Sequence, residues 1–170
     1  GAEVLATYIE SLKLDNLLIA SPDIGGSKRA ASFVKRIASH THHDVPMVIC
    51  YKNRQKANKV SELRVLGSVK GMDVVIIDDI ADTAGTLCKA AKVMKKKGAR
   101  SVRAIVSHGV MSGNACQKVM DSELEELVFT DTLTFDTKRC PKVKVVSVAK
   151  AFADTIMAIQ EHRSISEINV

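Results

Sequence analysis

The sequence has no Trp and only 4% aromatic residues, so it offers few rings on which nucleic-acid bases could stack. It also contains no helix-turn-helix, RNA-recognition or zinc-finger motif. The formal net charge of +6 favours anionic partners in general, but charge alone does not separate nucleic acids from nucleotides. Because stacking residues and binding motifs are both missing, we predict no nucleic-acid partner.

Cysteine is scarce and widely spaced, and no Cys-x-x-Cys pair is present. The thiols are therefore predicted to be reduced side chains rather than a zinc site or a disulfide framework. They are Cys50, Cys88, Cys116 and Cys140. The sequence also lacks an apolar run long enough to span a membrane and a charged-then-apolar signal segment at its start. These absences predict a soluble, cytoplasmic protein with no membrane partner.

Short apolar runs alternate with apolar stripes at helical spacing along the 170 residues, of which 46% are hydrophobic. Strands are predicted at residues 17–20, 46–50, 74–77, 102–107, 127–130 and 143–148. Helices are predicted at residues 4–12, 30–37, 87–94 and 152–159. No linker-like segment divides the chain, so it is predicted to be a single domain. The alternation predicts an α/β fold with a largely parallel sheet and helices on both faces.

The most informative segment is residues 74–86, with the sequence VVIIDDIADTAGT. Its four β-branched apolar residues are typical of a strand buried on both faces, and a helical pattern begins after it. Ala84 and Gly85 are small enough for backbone N–H groups to approach an anion. Thr83 and Thr86 add hydroxyl donors at the positive end of the following helix. This combination predicts a site for a monophosphate.

Two acidic residues, Asp78 and Asp79, stand just before this predicted phosphate site. They would repel a phosphate in direct contact, but a short distance away they can accept hydrogen bonds from a vicinal diol or approach a Mg²⁺ ion. A phosphate at one end and a diol at the other describe a ribose 5-phosphate. The alternative interpretation is an acidic turn in which a Thr caps the helix.

Two further segments can be interpreted in two ways. Residues 51–59 are polar and cationic, and we predict a mobile loop in which Lys52 and Arg54 point the same way and close over a polyphosphate, or else an exposed charged connection. At the predicted turn after the first strand, Gly25 and Gly26 could approach an anion while Asp23 holds a metal, or they could simply make a tight bend.

Taken together, residues 21–30 (SPDIGGSKRA), 52–54 (KNR) and 78–86 (DDIADTAGT) resemble the ribose-phosphate pyrophosphokinase family, also called phosphoribosyl pyrophosphate synthetases. Three ordered motifs are more specific than any one of them. The likeness covers essentially the whole chain, but it corresponds only to the C-terminal half of such an enzyme.

The resemblance implies a type I phosphoribosyltransferase-like fold and transfer of the diphosphoryl group of ATP to O1 of ribose 5-phosphate, which releases AMP. The residues implied to bind ribose 5-phosphate are Asp78, Asp79, Asp82, Thr83, Ala84, Gly85 and Thr86. Lys52 would be the catalytic lysine and Arg54 its partner, while Asp23 would help to bind Mg²⁺. These groups would stabilise charge on the phosphoryl group in transfer.

The chain departs from the family pattern in two respects. Asn53 stands where family members commonly carry a third basic residue. The N-terminal domain, which in the family supplies most of the adenine pocket and a metal-binding His, is missing. We therefore expect the isolated chain to bind ribose 5-phosphate but to turn over slowly or not at all, and we expect the full-length enzyme to be a homo-oligomer. Ser164 and Ser166 match a segment that contacts an effector phosphate in some members.

Two other functions share parts of this pattern. A phosphoribosyltransferase that consumes phosphoribosyl pyrophosphate would have the same acid pair, but it would also need a hood for a base, and the sequence after Thr130 shows none. A non-catalytic, synthetase-associated regulatory subunit would resemble the family but lose residues of the phosphate site and the cationic segment. Both are intact in this chain.

Overall fold

The computed structural model describes residues 1–53 and 62–165, and a sheet forms its centre. The strands are β1 (Leu17–Ser21), β2 (Met47–Asn53), β3 (Glu62–Leu66), β4 (Asp73–Ala81), β5 (Ser101–Gly109), β6 (Leu127–Thr130) and β7 (Val143–Val146). They lie in the order β3-β2-β1-β4-β5-β6-β7. Strands β2 and β3 are antiparallel, and every other neighbouring pair is parallel. The predicted largely parallel sheet is therefore confirmed.

Helices cover both faces of this sheet, as predicted. They are α1 (Ala2–Ser11), α2 (Ser27–Thr41), α3 (Gly85–Lys96), α4 (Ala115–Met120) and α5 (Ala149–Gln160). A 3₁₀ turn occupies Thr137–Arg139. Helices α1 and α2 pack over one face and contribute apolar side chains to one core, while α3 and α4 contribute to the core on the other face.

Strand β4 separates these two cores, because successive side chains of a strand point to opposite faces. Val75 and Ile77 belong to the core under α1 and α2, whereas Val74 and Ile76 belong to the core under α3 and α4. All four side chains are fully buried. The apolar run in the sequence therefore marks the centre of the sheet, and the acidic residues that follow it emerge at the carboxyl edge.

Glu126 is a buried acid that directly precedes β6 and contacts several elements of the fold. The Glu126 carboxylate accepts a hydrogen bond from the Tyr8 hydroxyl at 2.9 Å, and Lys144 Nζ lies 2.7 Å from the same oxygen. Arg103 Nε lies 3.3 Å from the second oxygen. Glu126 therefore joins α1, β5 and β7 through charge-assisted contacts, which are stronger than neutral hydrogen bonds.

The structure corrects the prediction of a loop from residue 51 onward. Strand β2 continues through Lys52 and Asn53, which pair with Leu63 and Glu62 of β3. Lys and Asn are uncommon in strands, and their pairing depends on a partner strand that local patterns did not predict. The short helix α4 was likewise missed.

The predicted final helix is confirmed as α5, but its packing is unusual. Phe152, Ile156 and Ile159 are 61%, 57% and 57% exposed, respectively. Ala158 is the buried residue of this helix.

Among the described residues, no helix is both long enough and apolar enough to cross a membrane.

Candidate functional site

The predicted site residues gather at the carboxyl edge of the sheet, where parallel α/β sheets bind ligands. Strand β4 ends at Ala81, and a short loop leads into α3 at Gly85. The parallel neighbour β1 ends at Ser21, just before the turn that contains Asp23. Both segments that carry predicted ligand-binding residues therefore lie at one edge of the sheet.

The loop between β4 and α3, residues 82–84, is shaped for an anion. Ala84 has a left-handed backbone with φ of 56° and immediately precedes α3. The first N–H groups of a helix have no intrahelical partner, and no described side chain caps this helix. The alternative interpretation, in which a Thr caps α3, is therefore not what the structure shows. Thr83 and Thr86 are exposed and can donate from their hydroxyls.

Two backbone carbonyls, one at the end of β4 and one in this loop, accept hydrogen bonds from the segment that follows β5. Val110 N and Met111 N both donate to Ala81 O at 3.0 Å. Ser112 N donates to Asp82 O at 3.0 Å, and the Ser112 hydroxyl also donates to the Asp82 carboxylate. These hydrogen bonds anchor the loop to the segment that follows β5 and hold the Asp82 carboxylate on Ser112. The start of α3 lies at a cleft of about 210 Å³, which is lined by residues 82–87 together with Asp78 and Ile80.

Arg29, at the start of α2, connects the two acids beside this cleft. Its Nη1 lies 3.0 Å from Asp78 Oδ1, and its Nη2 lies 2.7 Å from Asp79 Oδ2. Asp79 N also donates to Asp78 Oδ1 at 2.9 Å. Asp78 is half-buried and lines the cleft, whereas Asp79 is exposed.

The half-buried position of Asp78 changes its acidity. Burial, reinforced by the nearby negative charge of Asp79, raises the pKa of Asp78 to about 6. The Arg29 guanidinium and the Asp79 N–H act in the opposite direction but do not cancel this rise. Asp78 is therefore a carboxylate at neutral pH that becomes protonated under mildly acidic conditions.

Asp23 lies in the turn between β1 and α2 and is exposed. Its Oδ1 accepts a hydrogen bond from Gly26 N at 2.8 Å. A Cβ on Gly26 would lie 3.5 Å from both Asp23 Oδ1 and Arg29 Nη1, and only 2.9 Å from Ser21 Oγ. Glycine at this position therefore keeps the space between Asp23 and Arg29 open.

The described residues contain no group of three or more His, Cys, Asp or Glu side chains arranged to hold a metal by themselves. Mg²⁺ is usually bound by one or two carboxylates together with substrate phosphates and water. An exposed Asp23 beside an anion site fits that donor set, so the residues present are compatible with the predicted ion.

The remaining predicted residues are placed only in part. Lys52 is exposed in β2, next to β1, and its strand runs toward the same edge as Asp23. Ser164 is exposed beyond the end of α5. Arg54 and Ser166 lie outside the described residues.

Sequence reasoning overlooked Arg29 and Ser112 as site residues. Arg29 lies 49 residues before Asp78 in the sequence, and Ser112 lies 30 residues after Asp82. A usable signal existed for Arg29, because a helix that follows β1 must begin at the same sheet edge at which β4 ends. Ser112 had no comparable signal.

Comparisons with known proteins identify the family to which the chain is similar. The family model described as "Phosphoribosyl synthetase-associated domain" matches residues 37–169. A ribose-phosphate pyrophosphokinase of Porphyromonas gingivalis is 48% identical over 169 residues, which is 99% of this chain and 52% of the relative. One from Helicobacter pylori is 39% identical over 99% of this chain and 51% of the relative. The chain thus spans about half the length of these curated relatives.

Solved structures give the same result. The crystal structure of phosphoribosylpyrophosphate synthetase from Mycobacterium smegmatis matches with a TM-score of 0.82 and 31% identity, covering 95% of this chain and 51% of that one. A purine phosphoribosyltransferase from Pyrococcus horikoshii matches with a TM-score of 0.51 and 19% identity over 84% of this chain and 81% of that one, which shows the shared fold.

Proposed function

Since this chain belongs to the phosphoribosyl synthetase-associated domain family, we propose that it is the ribose 5-phosphate-binding, C-terminal half of a ribose-phosphate pyrophosphokinase. The complete enzyme would transfer the diphosphoryl group of ATP to O1 of ribose 5-phosphate. The observation that carries this proposal is that Asp78 lines the same cleft as residues 82–86, while Arg29 ties Asp79 to Asp78.

The sugar would bind along this edge in one orientation. Its 5-phosphate would accept hydrogen bonds from the first N–H groups of α3 and from the hydroxyls of Thr83 and Thr86, at the positive end of the helix dipole. Its ring hydroxyls would donate to the carboxylates of Asp78 and Asp79. Ala84 and Gly85 keep the approach free of larger side chains.

In the reaction, the O1 hydroxyl would attack the β-phosphorus of ATP, and the bond from that phosphorus to the α–β bridging oxygen would break, so that AMP leaves with that oxygen. Lys52 and Arg54 would stabilise the negative charge of the group in transfer. Asp23 would help to hold Mg²⁺, which neutralises charge on the phosphates when it is bound.

Half of the enzyme would not be sufficient for turnover. The relatives are about twice as long as this chain, and we assign the adenine pocket to the part of the enzyme that this chain does not span. The isolated chain should therefore bind ribose 5-phosphate without appreciable release of AMP from ATP. We further propose that the full-length enzyme is a homo-oligomer of the cytoplasm.

Isothermal titration calorimetry with ribose 5-phosphate tests this function on the chain itself. The double variant Asp78→Asn with Asp79→Asn should weaken binding by at least about tenfold, because two charged acceptors are lost. Asp44→Asn, which changes an exposed acid on another loop, is the matched control and should bind like wild type. Absence of ribose 5-phosphate binding by wild type, or unchanged binding by the double variant, would contradict the proposal.

A further inference from the structure

The geometry of Arg29 points to a specificity-determining role that rests on the proposed function. We propose that Arg29 is a positioning residue: it takes one oxygen from each carboxylate of the acid pair and leaves the other two oxygens directed at the two ring hydroxyls of a ribose. On this account Arg29 makes the site select a ribose phosphate over its 2-deoxy counterpart.

The four carboxylate oxygens of Asp78 and Asp79 differ in whether they already accept a hydrogen bond. Asp78 Oδ1 accepts from Arg29 Nη1 at 3.0 Å and from Asp79 N at 2.9 Å. Asp79 Oδ2 accepts from Arg29 Nη2 at 2.7 Å. Among the described residues, no donor bonds to Asp78 Oδ2 or Asp79 Oδ1. One acceptor therefore remains on each carboxylate, which is the number that a vicinal diol needs.

Arginine suits this task better than lysine. Its planar guanidinium presents separate N–H groups in a fixed fork, whereas an ammonium is a single point charge. Nη1 and Nη2 of Arg29 each hold a different carboxylate, so the fork fixes the rotation of both. Its positive charge also offsets the repulsion between two adjacent carboxylates.

The position of Arg29 is itself constrained. It lies in the first turn of α2, a helix anchored to the sheet by the buried side chains of Ala30, Phe33 and Ile37. In the described part of the chain Arg29 makes no hydrogen bond or ion pair with residues 82–86, so it acts on the sugar end of the site and leaves the phosphate end unchanged.

This separation predicts a distinctive pattern of ligand preference. Wild type should bind ribose 5-phosphate at least about tenfold more tightly than 2-deoxyribose 5-phosphate, because one charge-assisted hydrogen bond is lost in the deoxy sugar. Arg29→Gln should reduce that preference to less than about threefold, mainly by weakening ribose 5-phosphate binding. Its affinity for inorganic phosphate should stay within about twofold of wild type.

The experiment is calorimetric titration of the chain with ribose 5-phosphate, 2-deoxyribose 5-phosphate and inorganic phosphate. Arg36→Gln is the matched control, because Arg36 lies on the same helix but pairs with Glu3 away from the site. It should retain the wild-type preference. Arg29→Lys keeps the positive charge but lacks the planar guanidinium, so it should not restore the preference for ribose 5-phosphate over the deoxy sugar. The same variant replaces Arg29→Gln if Arg29→Gln fails to fold.

The outcomes separate this inference from the function on which it rests. If wild type does not bind ribose 5-phosphate, the proposed function fails. If wild type binds it and prefers it over the deoxy sugar, but Arg29→Gln keeps the same preference, the role of Arg29 is overturned and the function stands. Full restoration by Arg29→Lys, or equal binding of both sugars by wild type, would also overturn the positioning role.

Discussion

Lowering the pH from 7 to 5 should weaken binding of ribose 5-phosphate through Asp78. Burial and the neighbouring Asp79 carboxylate raise the pKa of Asp78 to about 6. A carboxyl group with that pKa is about nine-tenths ionised at pH 7 and about one-tenth ionised at pH 5. If only the ionised form accepts the sugar hydroxyl, protonation of Asp78 raises the dissociation constant for ribose 5-phosphate about tenfold over this range.

Loss of the fold does not explain this change. Because the pKa of Asp78 is higher in the folded chain than its ordinary value of 3.8, the folded state binds this proton more tightly than the unfolded state does. Its contribution to stability therefore increases as the pH falls through about 6 and is fully present below the ordinary value. Protonation of Asp78 should stabilise the fold while it weakens binding.

Calorimetric titrations at pH 7, 6 and 5 measure the effect, with Asp78→Asn as the reference. The phosphate of the ligand also gains a proton near pH 6, and that contribution is common to both proteins. Wild type should lose about tenfold more affinity than the variant between pH 7 and 5. Identical pH profiles for the two proteins would show that Asp78 is not the titrating acceptor.

Three further substitutions test other parts of the account. In a complete enzyme, Lys52→Ala should lower kcat more than it weakens substrate binding, and unchanged kcat would remove Lys52 from catalysis. Gly109→Ala should lower the free energy of unfolding in urea by about 1–3 kcal/mol, because the new Cβ would lie 2.5 Å from Phe129 ring atoms; an unchanged unfolding midpoint would contradict that contact. Glu126→Gln should lower the free energy of unfolding by about 2 kcal/mol in the same measurement, since Arg103 and Lys144 lose the charge of their shared partner, and a more stable variant would refute this.

Much of the fold followed from local patterns. The run before Asp78 is apolar at every position, which fits only an element buried on both faces, and it became the central strand β4. The helical pattern predicted at residues 87–94 likewise became α3, which begins two residues earlier at Gly85. In both places the local sequence and the tertiary environment require the same structure.

Features that depend on distant partners were not predictable in the same way. Strand β3 has only two partly or fully buried apolar side chains, Leu63 and Val65, and it pairs antiparallel with a stretch of β2 that carries Lys52. The contact of Arg29 with the acid pair joins the start of α2 to the end of β4, and the two residues Arg29 and Asp78 are 49 positions apart in the sequence. The polar-apolar alternation of β3 covers only residues 62–65, and the Arg29 contact has no sequence period, so both features depend on the strand order.

The account can be tested most directly by an amide NMR titration of the chain, first with inorganic phosphate and then with ribose 5-phosphate. We predict that phosphate shifts the amide signals of residues 83–87, and that the sugar phosphate additionally shifts those of Asp78 and Asp79. The chain has another cationic surface, a groove of about 840 Å³ along α2 lined by Lys28, Lys35 and His40. Shifts confined to that groove, with residues 78–87 unchanged, would contradict the central claim.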